Sequence, residues 1–153
     1  MTTASELIEL LGLEPLPDEG GYWAQSWLTD HGSGIYFLTQ PGDFSAMHRL
    51  GSAELWHFYA GAPACMTLLN PDGSSETHLL GTDFRSGHRP MVVVEPGVWM
   101  GCETTGEWTL FGTTMAPAYC PDDFELGSRE QLCEQYPAVS AQIINLTRPR
   151  PHG

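Results

Sequence analysis

A histidine and a glutamate lie six positions apart in the stretch FSAMHRLGSAELWHFYAG, which covers residues 44–61. His48 falls near the end of one strand-like run and Glu54 at the start of the next, with a Gly-Ser turn between them. Because side chains alternate across a strand, Trp56 and Phe58 share the face of Glu54. A histidine and a carboxylate on neighbouring strands, beside two aromatic rings, can form a polar site in an apolar cavity.

This pairing predicts acid–base chemistry, because burial and a carboxylate neighbour can bring an imidazole into a useful range for proton transfer. We interpret His48 as the acid or base and Glu54 as the residue that orients it. Trp56, Phe58 and Met100 are candidate substrate-binding residues that shape the pocket. The alternative is a hydrogen-bonded His–Glu pair that does no chemistry.

His57 is a further catalytic candidate whose side-chain direction the sequence leaves open. Strict alternation from Glu54 turns it to the opposite face of the strand, where it would serve an outer layer or a dimer contact. A β-bulge between residues 54 and 57 would turn it inward.

The residues that position these side chains are predicted to form short strands. Clusters of Gly, Pro, Asp, Asn and Ser separate the strand-like runs, and no helical pattern interrupts them, which is typical of a β-sandwich or barrel. The predicted strands cover residues 22–28, 34–39, 44–50, 54–60, 63–69, 75–80, 91–95, 98–103 and 107–116.

Helices are predicted only on either side of this region. Thr3 and Glu6 match a capping box, Ser128 can cap a second helix, and Pro137 can open a third. The predicted helices cover residues 3–11, 129–135 and 138–147, with a connector over 14–21 and a frayed tail from residue 148. We expect one domain over residues 1–153, with its barrel over about 22–116 and its C-terminal helices over about 128–147.

The charge of the chain excludes some classes of partner. The formal net charge is −13, lysine is absent, and no basic stretch offers a surface for phosphates, so nucleic-acid binding is not expected. No apolar run approaches the roughly 18 residues of a membrane span, and the first residues do not resemble a signal peptide. The four cysteines form no C-x-x-C pair, and we expect reduced thiols in a cytoplasmic protein.

Two stretches resemble the motifs of the cupin superfamily. Glu54 and Gly61 match the end of the first motif, G-x5-H-x-H-x3,4-E-x6-G, and His48 fits its first histidine. Gly97 fits the glycine of the second motif, G-x5-P-x-G-x2-H-x3-N, whereas Glu95 stands at its proline position. Over residues 3–148 the chain resembles an uncharacterised family of single-domain cupins.

The resemblance implies an all-β fold, the double-stranded β-helix or jelly-roll barrel, with the helices packed outside it. It also implies a homodimer and some likeness to RmlC-type sugar epimerases. Metal-binding cupins use three histidines and one glutamate, but here Leu50 and Met100 occupy two of the histidine positions. No cofactor is therefore expected. If a divalent metal bound, His48 and Glu54 would be its ligands.

These observations predict a protein that acts on a small organic molecule in the barrel interior, by an isomerase-like or epimerase-like proton transfer. One alternative is a module that binds or senses a small molecule without chemistry. Another is a metal-dependent cupin with a reduced ligand set.

Overall fold

The computed structural model describes residues 1–149, in which eleven strands form two antiparallel sheets. The strands are β1 (Glu14–Pro15), β2 (Tyr22–Thr29), β3 (Gly32–Thr39), β4 (Ser45–Arg49), β5 (Glu54–Gly61), β6 (Ala64–Leu69), β7 (Ser75–Leu80), β8 (Met91–Val94), β9 (Trp99–Thr104), β10 (Thr109–Met115) and β11 (Glu125–Leu126). The helices are α1 (Ala4–Leu11), α2 (Arg129–Gln135) and α3 (Ser140–Asn145), and short 3-10 helices cover Phe84–Ser86, Pro121–Asp123 and Pro137–Val139. The predicted fold class, a β-barrel with helices at both ends of the chain, is confirmed.

The main core lies between the two sheets. One sheet has the order β1-β2-β3-β10-β5-β8 and the other the order β11-β4-β9-β6-β7. Phe37 and Phe111 pack edge-on against Trp56, with ring centroids 5.7 and 5.3 Å away, and Met100 and Cys102 reach this core from the second sheet. Aromatic rings prefer this edge-to-face arrangement, which here fills the space between the sheets.

The chain changes sheets between β4 and β5. His48 on β4 belongs to the five-stranded sheet, whereas Glu54 on β5 belongs to the six-stranded one. The two residues therefore lie on facing sheets rather than side by side on paired strands, as the sequence analysis had assumed. Their separation depends on how the sheets pack, not on the hydrogen bonds of one ladder.

Helices cover the outer face of each sheet. Leu7, Ile8 and Leu11 of α1 pack with Leu38 and Leu110 of the six-stranded sheet. The C-terminal helices cover the five-stranded sheet through a second apolar cluster: Met47, Leu69, Trp99, Leu132, Tyr136, Ile143 and Leu146. Within residues 1–149, no helix combines the length and the apolar character needed to cross a membrane.

The predicted element boundaries agree closely with the structure, with three differences. The capping box of Thr3 and Glu6 is present, and Ser128 caps α2 as predicted. Strands β1 and β11 are not predicted from the sequence, because strands of two residues carry no periodic pattern. The predicted helix over 138–147 is shorter, since the chain after Pro137 first forms a 3-10 turn.

Arg148 does not behave as part of a frayed tail. Its guanidinium donates hydrogen bonds to the backbone oxygens of Glu19, at 2.8 Å, and Phe44, at 3.2 Å. It also stacks on the Phe44 ring and lies 3.6 Å from a carboxylate oxygen of Asp43. The prediction for residues 150–153 lies outside the described residues.

At Gly21 the fold leaves no room for a side chain. Its φ is +74°, and an added Cβ would lie 2.5 Å from Cζ of Phe37 and 2.9 Å from the backbone oxygen of Leu38. We expect Gly21→Ala to lower the free energy of unfolding by about 1–3 kcal/mol more than Gly42→Ala, as measured by denaturant titration. Gly42 is the matched control, because its φ is +78° and a Cβ there would meet nothing within 4 Å. Equal losses for the two variants would contradict this packing.

Candidate functional site

A cavity of about 270 Å³ lies between the two sheets. Strands β2, β3, β4, β5 and β10 contribute to its wall, and the connector before β2, the turn between β4 and β5 and the segment after β10 complete it. Its lining residues are Leu16, Pro17, Asp18, Glu19, Trp23, Gln25, Ser33, Gly34, Ile35, His48, Leu50, Glu54, Thr113, Met115, Tyr119 and Phe124. Of the predicted site residues, the cavity brings together His48 and Glu54.

The His48 ring is held in one tautomer and one orientation. It is 2% exposed, and its Nδ1 lies 2.7 Å from the backbone oxygen of Ala46. A carbonyl oxygen can only accept, so Nδ1 must carry a proton and donate it. Phe124 stacks on the ring with centroids 5.4 Å apart. These contacts leave Nε2 as the nitrogen that can exchange a proton with a molecule in the cavity.

Glu19 completes the surroundings of His48 and is not among the predicted site residues. Its Oε1 lies 3.7 Å from Nε2 of His48, and its Oε2 accepts a hydrogen bond of 2.8 Å from the Ser45 hydroxyl. The side chain is 13% exposed. A carboxylate at this position stabilises a positive charge on the imidazole ring.

Backbone contacts from distant parts of the chain place Glu19. Its carbonyl oxygen accepts hydrogen bonds from the amide of Ala46 at 2.8 Å and from Arg148 at 2.8 Å. The next residue, Gly20, has a φ of +94°, and a Cβ there would collide with the Arg148 side chain and the Phe44 carbonyl oxygen. No local sequence signal identifies such a residue within a connector.

The Glu54 carboxyl is buried in apolar surroundings. It is 7% exposed, and its Oε1 accepts a hydrogen bond of 2.9 Å from the indole N–H of Trp56. Burial raises the pKa of Glu54 from its ordinary 4.5 to about 7, with Glu19 adding to the rise and His48 opposing it. A carboxyl group with this pKa can give or take a proton near neutral pH.

Trp56, Phe58 and Met100 lie beside the cavity rather than in its wall. All three pack in or against the core between the sheets. Their predicted inward direction is correct, but the cavity occupies another level of the barrel. Trp56 reaches the site only through its hydrogen bond to Glu54.

His57 faces the outer side of the six-stranded sheet. Its Nε2 is 2.9 Å from the hydroxyl of Thr114, and its ring stacks on Tyr59. The pairing of β5 with β10 does contain an irregularity, but it lies after Phe58, opposite Leu110 and Phe111. A bulge there comes too late to turn His57 inward, so the structure does not bring His57 to His48 and Glu54.

Other lining residues also escaped the sequence analysis. Trp23 and Thr113 occupy inward positions on predicted strands. Assigning every residue of each predicted strand to its inner or outer face would have included them. Tyr119 and Phe124 follow the last long strand in an irregular segment, where parity has no meaning. Burial raises the pKa of the Tyr119 phenol, with Glu19 and Glu54 adding to the effect, so this hydroxyl stays a neutral hydrogen-bond donor.

A family model described as "Cupin superfamily (DUF985)" matches residues 5–127. The chain belongs to the cupin superfamily. A crystal structure of a Shewanella oneidensis protein is 34% identical to this cupin, covers 98% of its chain and all of its own, and has a TM-score of 0.92. A hypothetical protein from Leishmania major is 26% identical over 97% of this chain and all of its own, with a TM-score of 0.85.

A more distant likeness concerns the fold alone. Oxalate decarboxylase from Bacillus subtilis is 14% identical, and the match covers 88% of this cupin and 37% of that enzyme with a TM-score of 0.61. The comparison with curated proteins found no match.

The donor set of this cupin does not fit a resident divalent metal. Leu50 lines the cavity at a position where metal-binding cupins have a histidine, and Met100 lies in the core. The indole of Trp56 already occupies one oxygen of Glu54, and the Ser45 hydroxyl occupies one oxygen of Glu19. Within residues 1–149, no group of three or more His, Cys, Asp or Glu side chains is arranged to hold a metal ion.

The raised pKa of Glu54 predicts a specific pH dependence of stability. Between pH 4.5 and about 7 the folded chain binds more protons at Glu54 than the unfolded chain does, so the free energy of unfolding falls as pH rises and levels off above 7. Glu54→Gln keeps an acceptor for Trp56 but cannot ionise. Relative to wild type, we expect the free energy of unfolding of this variant to rise by up to about 3 kcal/mol between pH 4.5 and 7, as measured by denaturant titration.

The control for this measurement is Glu107→Gln, which changes an exposed glutamate in the loop before β10. Its stability relative to wild type should be the same at pH 5 and pH 8. Parallel stability curves for wild type and Glu54→Gln between pH 4.5 and 8 would show that Glu54 is not buried as described.

Proposed function

We propose that the cavity of this cupin binds a small organic molecule and moves a proton on it, in an isomerisation or epimerisation. The observation that carries this proposal is the Glu54 carboxyl, whose pKa burial raises to about 7, in the same cavity as an imidazole held in one tautomer. A carboxyl group that can exchange a proton near neutral pH and an imidazole on the facing sheet can act as an acid and a base on one molecule.

The proton transfers follow from the positions of the three polar residues. Nε2 of His48 removes a proton from a carbon next to a carbonyl group, and the Glu54 carboxyl donates its proton to the carbonyl oxygen. The products are an enol, an imidazolium that faces Glu19, and a Glu54 carboxylate. The enol then turns its other face to Nε2 of His48. Return of a proton from His48 to that face of the carbon, and of the enol proton to Glu54, restores both residues and yields the epimer.

A second candidate is a binding module that releases its ligand unchanged. The apolar part of the lining favours it, because Leu16, Trp23, Ile35, Met115 and Phe124 together offer a surface that retains an organic molecule without chemistry. A metal-dependent reaction is not proposed, since the donor set does not fit a metal.

Deuterium exchange tests the proton transfer. In D₂O at pH 7, a panel of small ketones and aldehydes with a C–H bond next to the carbonyl should incorporate deuterium in the presence of the protein, as read by NMR. We expect His48→Gln and Glu54→Gln each to slow this exchange by about 100-fold or more. His31→Gln, which changes an exposed histidine between β2 and β3, should leave the rate unchanged.

The outcomes separate the two candidates. An unchanged rate in His48→Gln would remove His48 from the mechanism. Binding of panel members, with recovery of unlabelled compound, would favour the binding module.

We also propose that the cupin forms a homodimer through the outer face of β5 and β8. Leu55 and His57 pair with Val93 and Met91 across these strands, and Tyr59 lies beside them. Met91, Val93 and Tyr59 are exposed, and none of these five residues is acidic. With a net charge of −13, two copies repel each other over most of their surface, so this uncharged patch is where association is least opposed.

Light scattering after size exclusion tests the dimer. We expect a mass of about twice 16.8 kDa for wild type and the monomer mass for Val93→Glu, because each subunit would bury a charge in the contact. Leu28→Glu changes another exposed apolar residue, on β2, and should leave the dimer intact. A wild-type monomer at micromolar concentration would contradict the proposal.

A further inference from the structure

Three acidic side chains and one imidazole are the ionisable groups of the strands and the connector that line the cavity. Asp18, Glu19 and Glu54 line it, and no arginine does so among the described residues. The chain contains no lysine that could reach it. His48 and Glu54 are more than nine-tenths buried, so both are held in this wall rather than presented to solvent.

The arginines that the structure describes lie outside the cavity wall. Arg49 pairs with Glu125 at 2.7 Å, and Arg129 donates to the hydroxyl of Thr147 at 2.8 Å. Arg148 donates to the backbone oxygens of Glu19 and Phe44 and lies beside Asp43. Arg85 and Arg89 belong to the segment between β7 and β8, which contributes nothing to the cavity.

Three aromatic rings, those of Trp23, Tyr119 and Phe124, stand in the same wall. The face of an aromatic ring carries negative electrostatic potential, and it attracts cations more strongly when water is excluded. Aromatic walls beside carboxylates are therefore suited to a positively charged group attached to an apolar body. A carboxylate or phosphate in this cavity would lose its hydration and face Glu19 and Glu54, and the imidazole of His48, which could compensate for its charge, already faces Glu19.

We propose that the cavity selects a small organic cation, a protonated amine with an apolar portion, as its ligand. The proposal deepens the proposed function, because it rests on the same cavity and names the class of molecule that enters it. The amine lies against the carboxylates of Glu19 and Glu54, and its apolar portion packs on Trp23, Ile35 and Phe124. Oxalate, the dianion named in the distant oxalate decarboxylases, and phosphate-bearing sugar nucleotides have the wrong charge for this wall.

Glu54 gives this selectivity a pH dependence. Its carboxyl faces His48 on β4, Glu19 on the connector, Thr113 on β10 and Trp56 on its own strand. Because burial raises the pKa of Glu54 to about 7, it is mainly neutral below that pH and charged above it. An alkylamine stays protonated over this range, so its affinity rises as pH rises from 6 to 8.

Matched probes of equal shape and different charge test the proposal. One set is benzylamine, benzyl alcohol and benzoate, and the second is butylamine, 1-butanol and butyrate. Binding to the full chain is measured by calorimetry at pH 8 in 150 mM salt, which screens attraction to the acidic surface. We expect at least one amine to bind with one site per chain, about tenfold or more tighter than its alcohol, and its carboxylate not to bind detectably.

Variants connect this binding to the cavity. Glu54→Gln should weaken amine binding about tenfold and remove its rise between pH 6 and 8, whereas the exposed Glu107→Gln should change neither. The proposal is overturned if no amine binds, if a carboxylate or alcohol binds as tightly as its amine, or if both variants leave binding unchanged. Amine binding that weakens equally in the two variants would also overturn it, since that result marks attraction to the general surface charge.

The deuterium exchange experiment and the amine binding experiment can fail independently, so their results distinguish the proton transfer from the ligand class. Amines that bind selectively without any exchange in the ketone and aldehyde panel would leave the ligand class intact and remove the proton transfer. Exchange that depends on His48 but occurs only with anionic compounds would keep the chemistry and overturn the cationic ligand.

Discussion

The burial of the Glu54 carboxyl in an apolar cavity is the constraint on which the site depends. An ionisable group taken out of water must be neutralised, hydrogen-bonded or faced by an opposite charge. Here the Trp56 indole donates to one of its oxygens, and His48 stabilises its negative charge. The remaining cost of burial appears as a rise of the Glu54 pKa to about 7, so that the carboxyl is largely neutral below that pH. The residue that makes the core less stable at neutral pH is the same residue that can exchange protons there.

The contacts of Trp56 connect this constraint to the fold. Its ring packs edge-on between Phe37 and Phe111 in the centre of the core, while its N–H holds Glu54. His48 belongs to the other sheet, so the distance between the two polar groups follows from how well the aromatic core fills the space between the sheets. The packing of the barrel core therefore also sets the geometry of the site.

Sequence patterns predicted the frame well and the site in part. Turn residues and strand alternation located β2 to β10, and parity directed His48, Glu54, Trp56 and Met100 inward. The alternation of side chains shows which face of a strand a residue occupies, but not its height along the barrel. It therefore could not distinguish Trp56 and Met100, which belong to the core, from His48 and Glu54, which line the cavity. Glu19 could not be predicted as a site residue, because its position depends on hydrogen bonds to residues distant in sequence.

The anchoring of Glu19 has a consequence for the biosynthesis of this cupin. Its carbonyl oxygen is bound by Arg148, which follows it by 129 positions. All eleven strands are synthesised before that arginine, so the carboxylate beside His48 lacks one of its anchors until the last part of the described chain has been made. The frame can therefore form first, and the site is complete only when the chain that follows α3 has been made.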